Sequence, residues 1–427
     1  MLRSKGTGVT TKRVLMVAYH YPPCIGSSGQ QRTLCFSRDL PAYGWQPLVL
    51  TVNRGAYANT GEDQLGDIPA TVPVTRAFAL DTKRHLSIKG RHLGWLAMPD
   101  SWVSWCLGAI PQGLMLIRHH RPDVLWSTYP IATAHLIGAA LHRLTGIPWI
   151  ADIRDPMIEV DSVTGQHYPA DLRLWRVRRR IEDLVTHSAA TTVLVSPGSY
   201  RIYTERYPDL PNERFALIGN GYDEASFRDA EKIVQSYPET PMVLLHSGLL
   251  YPTPDRDPTA FFEALAHLRQ TGQISSVSLR VVLRASGYDE QYRALVAKLG
   301  IDDIVRLEPI LPYREALAEM MGVHGLLLFQ GYTSNPAIPA KLYEYCRARR
   351  PILAMVDPGG DTASVLAASG AGMIVPMTSS SDIAHTLVAF MKQIREGNAA
   401  IAAPEVIVRH SREHKAKELA ALFDKVC

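Results

Sequence analysis

The sequence predicts an α/β protein built as two Rossmann-like halves, and three observations carry that reading. At 427 residues the chain is too long for one ordinary core. From Arg13 onward, short β-rich apolar runs alternate with helical ones, the βαβ rhythm of a parallel sheet. After the turn signal Asn220-Gly221-Tyr222-Asp223 the same rhythm restarts at Met242. The expected divisions are residues 1–220, residues 221–405, and a closing segment 406–427 whose helix packs across the junction.

The first half reads as a strand from Arg13 to Ala18, a helix near Gln30 to Tyr43 and a strand from Pro47 to Val52. The intervening turn, YHYPPCIGSSGQQR, is not a dinucleotide fingerprint: Gly26 and Gly29 lie three apart, without Gly-x-Gly, and no acidic residue ends the second strand. Hydride-transfer chemistry is therefore disfavoured. Gly26 and Gly29 permit close backbone approach, and Arg32 is either an anion contact or a solvated helix residue. Val124 to Thr128 is a strand, Ile131 to Leu144 a helix, and Trp149 to Ile153 a strand ending at Arg154 and Asp155. Parallel sheets place their sites at such strand ends. There a guanidinium can face a phosphate and a carboxylate can orient a hydroxyl; the alternative is an Arg-Asp ion pair closing the strand. Leu172 to Val185 is a basic amphipathic helix, and Thr191 to Val195 and Phe215 to Ile218 are the last strands of this half.

The second half opens with a strand from Met242 to His246, a loop containing Gly248, Tyr251, Arg256 and Asp257, and a helix from Pro258 to Leu268. The strand Leu279 to Leu283 ends at Arg284, a wall for a nucleotide base. Ile304 to Glu308 and a helix from Tyr313 to Met321 lead to the most informative stretch, HGLLLFQGYTSNPAIPAKLYEYCRARRPILAMV, residues 324–356. It reads as strand, Gly/Ser/Asn/Pro loop, helix opened by Pro339, and strand. Pro339 suits a first helical turn, so the amides of Ala340, Lys341 and Leu342 face the loop, an anion-attracting end. Lys341 and Glu344 share a helix face, while Leu342, Tyr345 and Cys346 form the stripe that packs on a sheet. A first-turn lysine opposes the helix dipole unless an anion offsets it, and a carboxylate one turn later can accept from a vicinal diol. Either this pair binds a nucleotide-diphosphate-sugar, or it is an exposed Lys and Glu on an ordinary surface helix.

IPAKLYEYCRARRPILA resembles the donor-site helix of retaining GT-B glycosyltransferases of family 4, and the similarity continues in RVLMVAYHYPPCIGSSGQQR, GIPWIADIRDP, IGNGYD and HSGLLYPTPDRDP, in the family's order. The resemblance implies a GT-B fold, two Rossmann-like domains facing across a cleft, with an N-terminal acceptor domain and a C-terminal donor domain. It assigns the nucleotide ribose to Glu344, the diphosphate to Lys341 and Arg256, and the Gly-rich turns at Gly26, Gly29 and Gly248 to close approach by the donor. The family's first acid, separated from Glu344 by seven intervening residues in this motif, falls at Pro336, so sugar contacts pass to the segment Ser334, Asn335, Ala337 and Ile338. Arg154 stands near where many relatives carry a histidine, beside Asp155.

What the composition excludes narrows the reading. A net charge of +4 is too small to argue for nucleic acid but suits an anionic nucleotide or an anionic membrane surface. Five scattered cysteines, without CxxC or a His cluster at metal spacing, read as reduced thiols of a cytoplasmic protein with no metal. The run Val14 to Ala18 is too short for a signal-peptide core, and the charge-free runs Ser101 to Ile117 and Val124 to His142 do not span a bilayer. Residues 83–121 set Lys83, Arg84, Lys89, Arg91, Arg118 and Arg121 beside Trp95, Met98, Trp102 and Trp105, the pattern of a surface at a lipid headgroup layer or of a core with a basic loop. The expected activity is transfer of a sugar, with retention and without cofactor or metal, from a nucleotide-diphosphate-sugar to a lipid-linked or saccharide acceptor in bacterial cell-surface polysaccharide synthesis, with possible peripheral contact at the anionic inner membrane. The rivals are a sugar-nucleotide epimerase of the same fold and a non-catalytic nucleotide-sugar-binding partner.

Overall fold

Alternation along the first strand sorts its side chains into two cores. In the computed structural model, which describes residues 11–25, 28–160 and 165–427, Leu15 and Val17 of β1 (Lys12–Val17) join one buried cluster with Leu48 and Leu125. Val14 and Met16 join another, with Trp45 and Trp126 on the opposite face. A strand covered on both sides reads as a continuous apolar run because it has no solvent face to supply.

The chain divides into two units: one holds the chain to Val195, Ser199–Ile218 and Lys415–Cys427, the other Ser196–Gly198 and Gly219–His414. In the first, β2 (Trp45–Val52), β3 (Val74–Ala77), β4 (Val124–Thr128) and β5 (Trp149–Asp152) are followed by the hairpin β6 (Glu159–Val160) and β7 (His167–Tyr168), then β8 (Thr191–Leu194) and β9 (Phe215–Leu217). Among the described residues the main sheet runs β3-β2-β1-β4-β5-β8-β9, every pair parallel. The helix expected to reach Tyr43 stops at Asp39, because Pro41 turns the chain into a 3₁₀ segment that Gly44 closes at φ +82°. Ala416, Leu419, Ala420 and Phe423 of the last helix, Arg412–Val426, belong to the core of Trp45, with the Phe423 and Trp45 rings 5.1 Å apart. The charge-free run near Pro111 lies in one helix, Trp105–His120. No helix of the described residues is long and apolar enough to cross a membrane.

The second unit repeats the plan with β10 (Met242–Ser247), β11 (Leu279–Arg284), β12 (Val305–Glu308), β13 (Gly325–Gln330), β14 (Ile352–Val356) and β15 (Met373–Val375), ordered β12-β11-β10-β13-β14-β15 and all parallel. Leu327 and Phe329 of β13 enter one core, Leu326 and Leu328 the other. Strands β3 and β15, four and three residues long, carried too few apolar positions for the pattern to find.

A buried ion pair stands inside the first unit. Arg32 is neither solvated nor an anion contact: its Nε and Nη2 donate to the two oxygens of Asp152 at 2.9 and 2.7 Å, and Nη2 also donates to Ile218 O at 3.0 Å. Thr128 Oγ1 donates to the same carboxylate at 2.8 Å. The helix after β1, the ends of β4 and β5, and the segment after β9 are thereby tied together. Breaking a buried pair by removing one partner strands the other charge. Arg32→Met is expected to cost about 3–5 kcal/mol in urea unfolding, most of it recovered in Arg32→Met/Asp152→Leu; an Arg32→Met protein as stable as wild type contradicts this assignment.

Candidate functional site

In the second unit the strand order switches direction between β10 and β13, the position where open α/β sheets leave a crevice at their C-terminal edge. The loop after β13 is built on Gln330. Its side-chain amide donates to Ser334 O at 2.8 Å and Ala337 O at 2.9 Å, and its oxygen accepts from the Thr362 hydroxyl. Ser334 Oγ donates to the Asp255 carboxylate, and Asn335 Nδ2 donates to Asp357 Oδ2 at 2.6 Å. Gly331 N–H donates to Asp255 O at 2.6 Å, an approach so close that a side chain at Gly331 would strike the Pro254 carbonyl. The loops after β10, β13 and β14 are thus latched together. Ser334 and Asn335 spend their side chains on that latch, the Ala337 carbonyl is taken by Gln330, and Ile338 is buried in the core with Leu342.

The helix after this loop runs Ala340–Ala348 with Pro339 as its N-cap. Leu342 N–H turns back to Pro339 O at 3.0 Å, so of the three amides expected to face the loop that one is occupied. Leu342, Tyr345 and Cys346 are buried as the stripe predicted, and Ser247 N–H donates to the Tyr345 hydroxyl at 2.9 Å, fastening the helix to the end of β10.

That fastening brings Lys341 over Gly248. A Cβ at Gly248 would lie 2.8 Å from Lys341 Nζ, and its φ of +118° is a conformation that suits only glycine. The ammonium donates to His246 Nε2 at 3.2 Å. Burial, with the Arg256 guanidinium nearby, pulls the Lys341 pKa down to about 7, against the opposing pull of Glu344 and Asp255. Arg256 lies over the Tyr251 ring, 5.3 Å from its centroid, with Nε 3.4 Å from Asp255. Glu344 accepts from the Tyr313 hydroxyl at 2.8 Å, and burial raises its pKa, an effect that Arg412, Tyr313 and Lys341 oppose. Two half-buried cations set close together are at a disadvantage that Asp255 and Glu344 offset only in part and that a further anion would relieve. Such an arrangement can receive a phosphate, and the carboxylate one turn on can take hydroxyl groups.

Arg284 does not join this group. Its guanidinium is bidentate to Glu319, at 3.0 and 2.6 Å, and also donates to Pro309 O at 2.9 Å. The buried end of β11 needed its charge balanced, and Glu319 does so; only the Arg284 carbonyl reaches the site, accepting from Gly248 N–H at 2.8 Å.

In the first unit Arg154 is buried and Asp155 exposed, so the two neighbours face different surroundings. His20, from the loop after β1, has its pKa lowered to about 3 by burial and by Arg154. Gly29 lies buried in the helix Ser28–Asp39, its carbonyl accepting from Thr33 Oγ1 at 3.1 Å; Gly26 lies outside the described residues. Of the tryptophans read as one surface, Trp105 is wholly buried and Trp102 donates to Ala56 O at 3.1 Å, so both serve the core. Trp95 is 68% exposed, near Ile88 at 80% and Leu93 at 61%.

The sequence reading missed His246, Gln330, Tyr313 and Asp255. A signal existed for the first two: a polar side chain in an apolar strand must find partners, and those partners are the site.

Residues 29–221 match the family described as glycosyl transferase 4-like domain. Among curated proteins nothing matches. Among solved structures the chain is similar to sucrose-phosphate synthase from Thermosynechococcus elongatus, at 13% identity, 97% coverage of this chain and 98% of that one, and a TM-score of 0.65. It is similar to Anabaena HepE in complex with UDP and glucose, at 14% identity, 97% and 100% coverage, TM-score 0.63. It is also similar to UDP-GlcNAc 2-epimerase from Neisseria meningitidis, at 11% identity, 97% and 100% coverage, TM-score 0.54. At these identities the likeness fixes the fold, which is GT-B.

A lysine that titrates at about 7 when free must gain a proton when an anion settles on it above that pH. Affinity for uridine diphosphate is therefore expected to be flat with respect to this group below pH 7 and to fall toward tenfold per pH unit above it. Calorimetry at pH 8 in buffers of different ionisation enthalpy should show uptake approaching one proton, abolished in Lys341→Met. Identical heats in both buffers would count against the site.

Proposed function

We propose that this chain, which matches the glycosyl transferase 4-like domain over residues 29–221 and has the GT-B fold, is a glycosyltransferase that moves a sugar from a nucleotide-diphosphate-sugar to a lipid-linked or saccharide acceptor. The observation that carries the donor assignment is the placement of Lys341 Nζ against Gly248, with Arg256 and Glu344 beside it. The diphosphate lies against Lys341, Arg256 and the amides at the start of the helix Ala340–Ala348, and Glu344 takes the ribose hydroxyls. HepE, crystallised with UDP and glucose, lends support as a protein of the same fold.

In the transfer step the acceptor oxygen bonds to the anomeric carbon as the bond from that carbon to the phosphate oxygen breaks. The acceptor proton passes to the departing diphosphate. Charge developing on that leaving group is met by two cations and helix amides in place of a metal. Retention follows if the acceptor hydroxyl arrives on the face the diphosphate leaves. Pro336 leaves the donor sugar without the usual acid, and Ser334 and Asn335 have their side chains committed to their latch. The acceptor is assigned to the first unit, at the strand ends carrying Arg154 and Asp155.

The exposed Ile88, Leu93 and Trp95 beside Lys89 and Arg91 support peripheral attachment to an anionic cytoplasmic membrane face, suited to a lipid-linked acceptor in cell-surface polysaccharide synthesis.

Incubation with a panel of nucleotide-sugars, with and without lipid extract, separates the readings. Nucleoside diphosphate release that lipid stimulates, and that Lys341→Ala and Glu344→Ala each reduce at least tenfold, is the expected result. Interconversion of sugars without release identifies an epimerase instead, and binding without turnover a partner protein. For the membrane, flotation with anionic liposomes at low salt should recover wild type and lose Ile88→Asp/Trp95→Asp; wild type remaining at the bottom of the gradient removes that part of the proposal.

A further inference from the structure

His246 is a polar side chain at zero exposure near the C-terminal end of an apolar strand, and neither the fold nor the transfer step has used it. Its ring stands edge-on to Phe329, 5.1 Å between centroids. Nδ1 lies 2.8 Å from Leu327 O on β13. A carbonyl oxygen only accepts, so Nδ1 carries the hydrogen. In a neutral ring Nε2 then holds a lone pair, and the group facing it at 3.2 Å is the Lys341 ammonium, which only donates. Protonated, the ring would turn an N–H against three N–H groups of like charge, with Arg256 close by. Burial, Lys341 and Arg256 hold its pKa well below the ordinary histidine value, against the opposing pull of the Leu327 and Gly248 backbone.

The consequence concerns where the lysine points. A lysine side chain has four rotatable bonds and would otherwise leave a half-buried position for solvent. Gly248 opens the space for Nζ, and His246 supplies the acceptor that keeps it there. We propose that His246 is the positioning residue of the donor site, a neutral Nδ1–H tautomer whose Nε2 lone pair holds the Lys341 ammonium over Gly248 before the diphosphate arrives. This rests on Lys341 being the diphosphate ligand. The groups facing Lys341 are His246 on β10, Asp255 and Arg256 on the following loop, and Glu344 on its own helix.

His246→Leu fills the volume without an acceptor; His246→Gln keeps one. The Lys341 titration, read as the pH dependence of its acetylation by peptide mass mapping, should move in His246→Leu and stay near wild type in His246→Gln. Uridine diphosphate affinity should fall about tenfold in the first and less than threefold in the second. A folded His246→Leu protein with unchanged titration and affinity makes His246 a core filler and overturns the proposal. Should His246→Leu fail to fold, imidazole ¹⁵N spectra of wild type and Lys341→Met decide the matter. Nε2 of His246 is expected to be unprotonated and to shift when the ammonium is removed, and an unmoved resonance rejects the contact. If the titration moves while wild type binds no nucleoside diphosphate, the positioning role stands and the donor assignment fails.

Discussion

The second unit depends on a cation kept where water cannot fully solvate it. Lys341 could not occupy that place if residue 248 had a side chain, if the helix Ala340–Ala348 were not fastened by Tyr345 to the end of β10, or if no acceptor stood at His246. Each of these is a local fact of sequence: a glycine after a strand, a tyrosine on a helix stripe, a histidine inside an apolar run. Together they leave an ammonium beside a guanidinium, with Asp255 and Glu344 offsetting the two charges only in part, an arrangement that a phosphate would stabilise.

The loop that feeds this helix is rigid for a related reason. Gln330 at the end of β13 satisfies the carbonyls of Ser334 and Ala337, and Asp255 and Asp357 take the side chains of Ser334 and Asn335. A loop whose polar groups are mutually satisfied holds one conformation without a ligand, so little ordering remains for the moment of binding. The same accounting removes Arg284 from the site, since Glu319 neutralises it.

The parallel sheets were legible because strands buried on both faces cannot hide their apolar runs: Leu326 to Phe329 and Val14 to Val17 leave no other reading. The Lys341 and Glu344 pair was legible because helical spacing places them on one face whatever the rest of the fold does. Short strands such as Met373–Val375 were not, having too few residues to show a period. Arg32 was unreadable in a different way. Its partner Asp152 lies 120 residues away, and nothing near Arg32 in the chain signals burial. Separation along the chain also hides the fates of Trp95, Trp102 and Trp105, which look alike in sequence and differ once Ala56 and the core claim two of them.

Donor binding of this kind requires the diphosphate to be received by Lys341 in the second unit. A crystal structure with an intact nucleotide-sugar, grown in chelator, tests this most directly. The predicted result is a phosphate oxygen within hydrogen-bond distance of Lys341 Nζ, a second near Arg256, and ribose hydroxyls on Glu344. A diphosphate bound elsewhere, with the Lys341 ammonium still turned to His246 alone, would contradict it.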